Sequence, residues 1–238
     1  MKLADMESES LAGRFKHSYT LLNANRSILL PGLVAGVVCG FVQLFLAHLV
    51  VIGGIVGAAI LDLLLVFAGA TALTYTTGMA QVAWEKGHAE LDDGRAAFGE
   101  DGRRVLQAVL LLSLAATAAM LLMLPTLGLS LLAFSYFSVY TIASVVVGEH
   151  TAMEGVVESA NLASRRIGPT AAIVVGFIWI FVIAGLVGFA LSFIPFIGPV
   201  VNSIISVTCS SYFIVLIVGE YLTARGTPPS VPIRIVSP

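Results

Sequence analysis

Long stretches without any formally charged residue dominate this sequence. None occurs at 105–148 or at 167–219, and Asp62 is the only one at 27–84. A membrane-spanning helix needs about 20 predominantly apolar residues, so each stretch is long enough for two spans and a short turn. Charged residues make up only 11% of the chain, compared with about 25% in soluble domains. The sequence therefore predicts an all-α polytopic membrane bundle of six transmembrane helices, arranged as three hairpins.

The predicted spans divide the chain into three parts. Residues 1–27 form a cytoplasmic amphipathic segment, 28–222 the six-helix transmembrane domain, and 223–238 a proline-rich cytoplasmic tail. We place the spans at 28–52, 58–83, 105–124, 129–149, 169–194 and 199–220.

The distribution of Lys and Arg predicts the orientation of the bundle. All 12 lie before the first span, after the last one, or in the connections that follow spans two and four. Lys and Arg are enriched on the cytoplasmic side of membrane proteins. We therefore expect both termini in the cytoplasm and the protein in the inner or plasma membrane of the cell.

Short matches recur along the chain with a period of about 70 residues. This shared period predicts that the three hairpins are copies of one unit. Internal repeats are frequent in transporters, although they also occur in membrane proteins that transport nothing. The matching residues are Pro125 and Pro195 at the outer turns, Gly78, Gly148 and Gly219 at the inner ends, and Ser18 and Ser159 two periods apart.

Two inner segments, 10–24 and 151–166, have apolar residues at helical spacing with charged residues on the remaining surface. Such a pattern is typical of short amphipathic helices at a membrane interface. A partner-binding helix would have the same pattern, so both roles stay open.

The same two segments carry a family resemblance. The run from Gly13 to Leu22 and the run from Met153 to Leu162 resemble the elements that precede spans in prokaryotic multi-helix membrane families of unknown function. Those families are similar in layout to the membrane domain attached to some glycerophosphodiester phosphodiesterases. This sequence has no phosphodiesterase domain, so the resemblance implies the membrane layout and no enzymatic activity.

Five polar residues within or at the ends of the spans are candidate site residues. Asp62 lies inside span two, and an intramembrane carboxylate is a functional candidate by default. It is also about one turn from the outer end of the span, where it could be solvated or paired with His48. Glu149 and Glu220 lie at the inner ends of spans four and six, where headgroup-level solvation or a paired role would account for them. Asn202 lies in span six.

Gly32, Gly36 and Gly40 lie on one face of span one. Glycine at this spacing allows another helix to approach closely, and the partner could be within the chain or outside it. The expected partners are the lipid bilayer and, through such a face, a second copy or another membrane protein. The net charge of −2 predicts no binding of nucleic acid.

Ser and Thr residues are concentrated in the second helix of each predicted hairpin, for example Thr74, Ser135, Ser138 and Ser206. Polar side chains in lipid seek partners inside the bundle, so we expect spans two, four and six to face one another. The sequence contains no H-E-x-x-H, P-loop or C-x-x-C motif, and its four His are scattered. We therefore expect no enzymatic activity, no catalytic residue, no cofactor and no metal site. A permease-like or lipid-handling function is the first hypothesis, and a structural or assembly factor is the alternative.

Overall fold

The structure is a computed structural model that describes residues 11–191 and 197–226, without the side chains of 43–53 and of a few further positions. All elements in these ranges are helical, as the sequence predicts. The helices are α1 (Leu11–Ala24), α2 (Leu29–Lys86), α3 (Leu91–Leu121), α4 (Leu129–Ser138), α5 (Thr141–Val146), α6 (Ala152–Arg165), α7 (Ile167–Leu191) and α8 (Ile197–Arg225).

Five helices of the described chain are long and apolar enough to cross a membrane. The number rises to six if the segments Ala12–Ala24 and Arg26–Val42, which meet at an angle of 91°, together form one span. The composition is therefore that of a membrane-embedded protein. The predicted first span, 28–52, includes residues whose side chains the structure does not describe.

Helix α2 reverses direction along its length. A straight helix of 58 residues would be about 87 Å long, yet Asn25, before its start, hydrogen-bonds to Gly87 and Ala89, after its end. The side-chain amide donates to the Gly87 carbonyl (3.2 Å) and accepts from the Ala89 amide (2.9 Å). Gly54 has non-helical backbone angles, with φ 54° and ψ −131°. These angles are accessible to glycine, and the residue lies in the turn that the sequence predicts.

The connection that follows α2 is shorter than the sequence predicts. The residues before the predicted third span, 91–104, are helical and form the beginning of α3. A capping box stabilises this start, since the Glu90 amide donates to the Asp93 carboxylate at 2.8 Å.

The predicted fourth span is divided into α4 and α5 at Val139 and Tyr140. Ser159 of α6 accounts for the break: its Oγ accepts a hydrogen bond from the Tyr140 amide (3.0 Å) and donates one to the Phe137 carbonyl (2.7 Å). A buried amide without an intrahelical partner needs another acceptor. A side chain from a different element supplies it here, which a continuous apolar pattern cannot reveal.

The predicted glycine face is buried inside the chain. Gly32, Gly36 and Gly40 are all buried. A Cβ added to Gly40 would lie 2.7 Å from the Val200 Cα atom of α8. The partner at Gly40 is therefore an intramolecular helix.

Hydroxyl-bearing residues of the predicted second helices are buried or half-buried wherever the structure describes their side chains. Among the described residues, Thr74, Ser144 and Ser211 are buried, whereas Ser135, Ser138 and Ser206 are half-buried. Several hydroxyls nevertheless donate to their own helix, as Thr74 does to Ala70 (2.8 Å) and Ser138 to Phe134 (2.7 Å). These residues therefore permit close helix packing without requiring a shared polar interior.

Candidate functional site

Charged side chains from distant parts of the chain meet at one end of the bundle, which we call the charged end. Arg14 of α1 donates through Nη1 to both carboxylate oxygens of Glu220 in α8, at 2.7 and 3.0 Å. Arg166, next to the start of α7, approaches the same carboxylate at 3.9 Å. The pair ties the amphipathic α1 to the end of α8, and the Tyr212 hydroxyl adds a hydrogen bond to the Phe15 carbonyl (3.2 Å).

The structure places the two candidate glutamates in different surroundings. Glu220 is only 4% exposed, so headgroup-level solvation does not account for it, contrary to that interpretation of the sequence. Glu149 is exposed and adopts a left-handed backbone conformation with φ 57°. The structure thus does not bring these two carboxylates into one site.

A second cluster surrounds Glu158 of α6. Its Oε2 atom accepts hydrogen bonds from the hydroxyls of Ser144 and Tyr221, the latter at 3.0 Å, and lies 2.7 Å from His150 Nε2. Its Oε1 atom accepts from Arg225 Nε at 3.3 Å. Elements α5, α6 and α8 therefore converge on one carboxylate.

Opposing influences determine the ionisation of Glu158. Partial burial would raise its pKa, but the hydrogen bonds from Ser144 and Tyr221 and the positive charge of Arg225 outweigh that effect. The pKa of Glu158 consequently lies below its ordinary value. The carboxylate is ionised at neutral pH and holds the surrounding donors in place.

An open cleft of about 500 Å³ lies beside this cluster, and we call it the α6 cleft. Helix α6 contributes most of its wall, including two exposed apolar residues, Met153 and Val157. A helix of this kind lies at the boundary between headgroups and acyl chains. The polar lining residues are His150, Glu154, Glu158, Asn161, Arg165 and Arg225.

A second cleft of about 510 Å³ lies between α2, α3 and the end of α5. It contains Asp93, Glu100 and Glu149, together with Asp101, which is buried and pairs with Arg104 at 2.9 Å. Among the described residues, no group of three or more His, Cys, Asp or Glu side chains could hold a metal ion. This acidic cleft therefore gives no indication of a bound cation.

Asn202 does not join either cluster. Asn202 is half-buried and packs against Gly188 of α7, where an added Cβ would collide with its amide. The side chains of Asp62 and His48 lie outside the described residues, so their proposed pairing stays a prediction.

Sequence reasoning named Glu220 as a candidate but missed the partners that it has at the charged end. Arg14 and Glu220 are 206 positions apart, and nothing in a single sequence pairs residues over that distance. Glu158 had a weak signal, since it lies on the polar face of a segment that the sequence predicts to be amphipathic. Its partner Ser144 lies within predicted span four and its partner Tyr221 directly after predicted span six, and neither position indicates a contact with Glu158.

Comparisons with family models, curated proteins and solved structures find no match for this chain. The resemblance to the membrane domain of some phosphodiesterases therefore stays a prediction, and arguments about function rest on the residues described above.

Proposed function

We propose that this protein is a non-enzymatic, lipid-handling integral membrane protein that holds a lipid headgroup in the α6 cleft. One observation carries the proposal: a charged cleft of about 500 Å³ opens beside an amphipathic helix with exposed apolar residues. Met153 is 65% exposed and Val157 53% exposed. Burying them among acyl chains would stabilise the helix at the depth where headgroups lie.

The proposed membrane arrangement has six spans in three antiparallel hairpins. The first is supported by the contacts between Asn25 and Gly87, on either side of α2. The second is supported by the hydrogen bond from Ser130 to the Ala119 carbonyl at 2.7 Å. The third is supported by the close contact between Gly188 of α7 and Asn202 of α8.

The centres of these three pairings are spaced at nearly equal intervals along the sequence, in agreement with the repeat of about 70 residues. We propose that the hairpins are copies of one unit. The charged end faces the cytoplasm of the cell in this arrangement, because it carries the Lys and Arg residues.

A tryptophan substitution in α6 tests the proposed lipid site. Asn161 lines the cleft, so Asn161→Trp would fill it with an indole ring while retaining every charge. We expect saturable phospholipid binding, measured by native mass spectrometry of the detergent-solubilised protein, to weaken about tenfold, which corresponds to about 1.4 kcal/mol.

The matched control is Ser164→Trp, an exposed position on the same helix that does not line the cleft. Its binding should equal that of the wild type. Unchanged binding by the Asn161 variant, with a wild-type-like thermal transition, would exclude the cleft as the lipid site.

A structural or assembly factor is the second candidate function. The closely packed Gly40 face and the buried pair of Arg14 and Glu220 favour it, because both stabilise a rigid scaffold. Its partner would be a second copy or another membrane protein. A stable complex that persists when the cleft is filled by Asn161→Trp would support this alternative.

A further inference from the structure

We infer that the α6 cleft recognises the phosphate group of a phospholipid and does not read the remainder of the headgroup. This inference rests on the proposed lipid-handling function and names the chemistry of the same site. It follows from which donors and acceptors in the cleft are already engaged by the chain itself.

Both carboxylates of the cleft already have partners within the chain. Glu158 accepts from Ser144, Tyr221 and Arg225 and contacts His150. Glu154 is the partner of Thr151 at the start of α6, where its carboxylate accepts from the Thr151 amide (3.0 Å) and hydroxyl (2.8 Å). An ammonium group at Glu158 would have to compete with these donors.

The donors of the cleft are less fully used. Arg165 is exposed and makes no hydrogen bond or ion pair within the described ranges. Arg225 uses Nε for Glu158, its Nη2 atom lies 3.0 Å from His150 Nε2, and no hydrogen bond to another described residue involves its Nη1 atom. The cleft thus has free guanidinium donors beside carboxylates that already have partners.

Phosphate is the headgroup component that matches free guanidinium donors, because arginine binds phosphate oxygens with charge-assisted, often bidentate hydrogen bonds. The Glu158 carboxylate and the face of the Tyr221 ring, 5.3 Å from the guanidinium carbon, fix the position of Arg225. The exposed Met153 and Val157 beside the donors favour a phosphate that is attached to acyl chains over one that is free in solution.

Lipids that differ in a single headgroup component test this inference. Native mass spectrometry of the full chain in a maltoside detergent would compare phosphatidylglycerol, phosphatidylethanolamine, phosphatidylcholine and glucosyl diacylglycerol with identical acyl chains. We expect the three phospholipids to bind within about threefold of one another. The phosphate-free glycolipid should bind about tenfold more weakly, as the loss of one charge-assisted hydrogen bond predicts.

Arg165→Gln should reduce phospholipid binding towards the level of the glycolipid, since only Arg225 would still donate to the phosphate, and should leave glycolipid binding unchanged. Arg103→Gln is the matched control, because Arg103 is an exposed arginine that does not line the cleft. Thermal unfolding of both variants should match that of the wild type, which would separate a binding defect from misfolding.

Each other outcome overturns a specific statement. Equal binding of the glycolipid and the phospholipids, with Asn161→Trp still weakening both, would exclude phosphate recognition and retain the lipid site. Preference for phosphatidylethanolamine alone would show that the amine is read. If inorganic phosphate bound as tightly as the phospholipids, the cleft would be a site for the free ion. If Asn161→Trp changed the binding of none of these lipids, the proposed function itself would be rejected.

Discussion

Burial and partners give two glutamates at equivalent positions of the proposed repeat different physical roles. Glu220 is buried between Arg14 and Arg166, and one carboxylate there compensates two guanidinium groups. An arginine does not lose its proton at accessible pH, so the buried Arg14 depends on Glu220 for its counter-charge. Glu149 is exposed, and the Arg104 side chain reaches its backbone carbonyl at 3.5 Å.

Neutralising Glu220 should therefore destabilise the protein strongly. Glu220→Gln leaves Arg14 buried without a counter-charge, and breaking a buried ion pair by removing one partner costs about 3–5 kcal/mol. Arg14→Met should cost less, since Glu220 would retain Arg166 nearby. The free energy of unfolding in detergent micelles measures both effects.

Glu149→Gln is the control for this comparison. An exposed substitution of this kind usually changes the free energy of unfolding by less than about 0.5 kcal/mol. If Glu149→Gln were as destabilising as Glu220→Gln, the distinction between the two carboxylates would be wrong.

The sequence predicts where these charged residues lie but not how they pair. Charge counting places Arg14, Arg166 and Glu220 near the inner ends of helices, and all three meet at one end of the bundle. It does not predict which cation pairs with which anion, because that depends on helix rotation and on the depth at which α1 docks. The same limit hides the hydrogen bond from Trp84 Nε1 to the Val215 carbonyl (2.8 Å).

At the scale of elements, helix formation follows from composition, whereas helix interruptions follow either from local sequence or from tertiary contacts. Gly54 is an interruption that the sequence predicts, because the turn there contains several glycines. The break at Tyr140 is not predictable, since its cause is Ser159 on a separate helix. Glycine spacing in α2 predicts that another helix approaches closely, but only the structure identifies that helix as α8.

Adding one methyl group at Gly40 should separate α2 from α8. Its Cβ would lie 2.7 Å from the Val200 Cα atom, and backbone cannot move as readily as the end of a flexible side chain. We expect Gly40→Ala to lower the free energy of unfolding by about 1–3 kcal/mol, as overpacking does elsewhere.

Gly69→Ala is the matched control within the same helix, since nothing lies within 4 Å of an added Cβ there. Alanine favours helix over glycine by up to about 1 kcal/mol, so this variant should be neutral or more stable. The loss at Gly40 should not depend on protein concentration, because the contact is intramolecular. A concentration-dependent loss would instead point to an interface between copies.

At the scale of the whole molecule, the same division of charge that predicts the spans also organises the fold. Residues 105–148 contain no charged residue, and the hydrogen bond between Ser130 and Ala119 pairs the two helices within this stretch. Charged residues of α1, α6 and α8 meet at the charged end through Glu158 and Glu220. The sequence thus predicts where charge belongs, while packing decides how the charges compensate one another.

Cysteine labelling from outside intact cells tests the proposed orientation as a whole. In a variant with Cys39 and Cys209 replaced by alanine, Val56→Cys and Leu124→Cys should react with a membrane-impermeant maleimide, because both lie near predicted outer turns. Both side chains are exposed, at 68% and 82%. Gly99→Cys and Ser164→Cys lie at exposed positions of the charged end and should react only after the cells are permeabilised. The expected asymmetry follows from the retention of Lys and Arg on the cytoplasmic side. Reaction of Gly99→Cys in intact cells, with protection of Val56→Cys, would invert the bundle and place the α6 cleft on the opposite surface of the membrane.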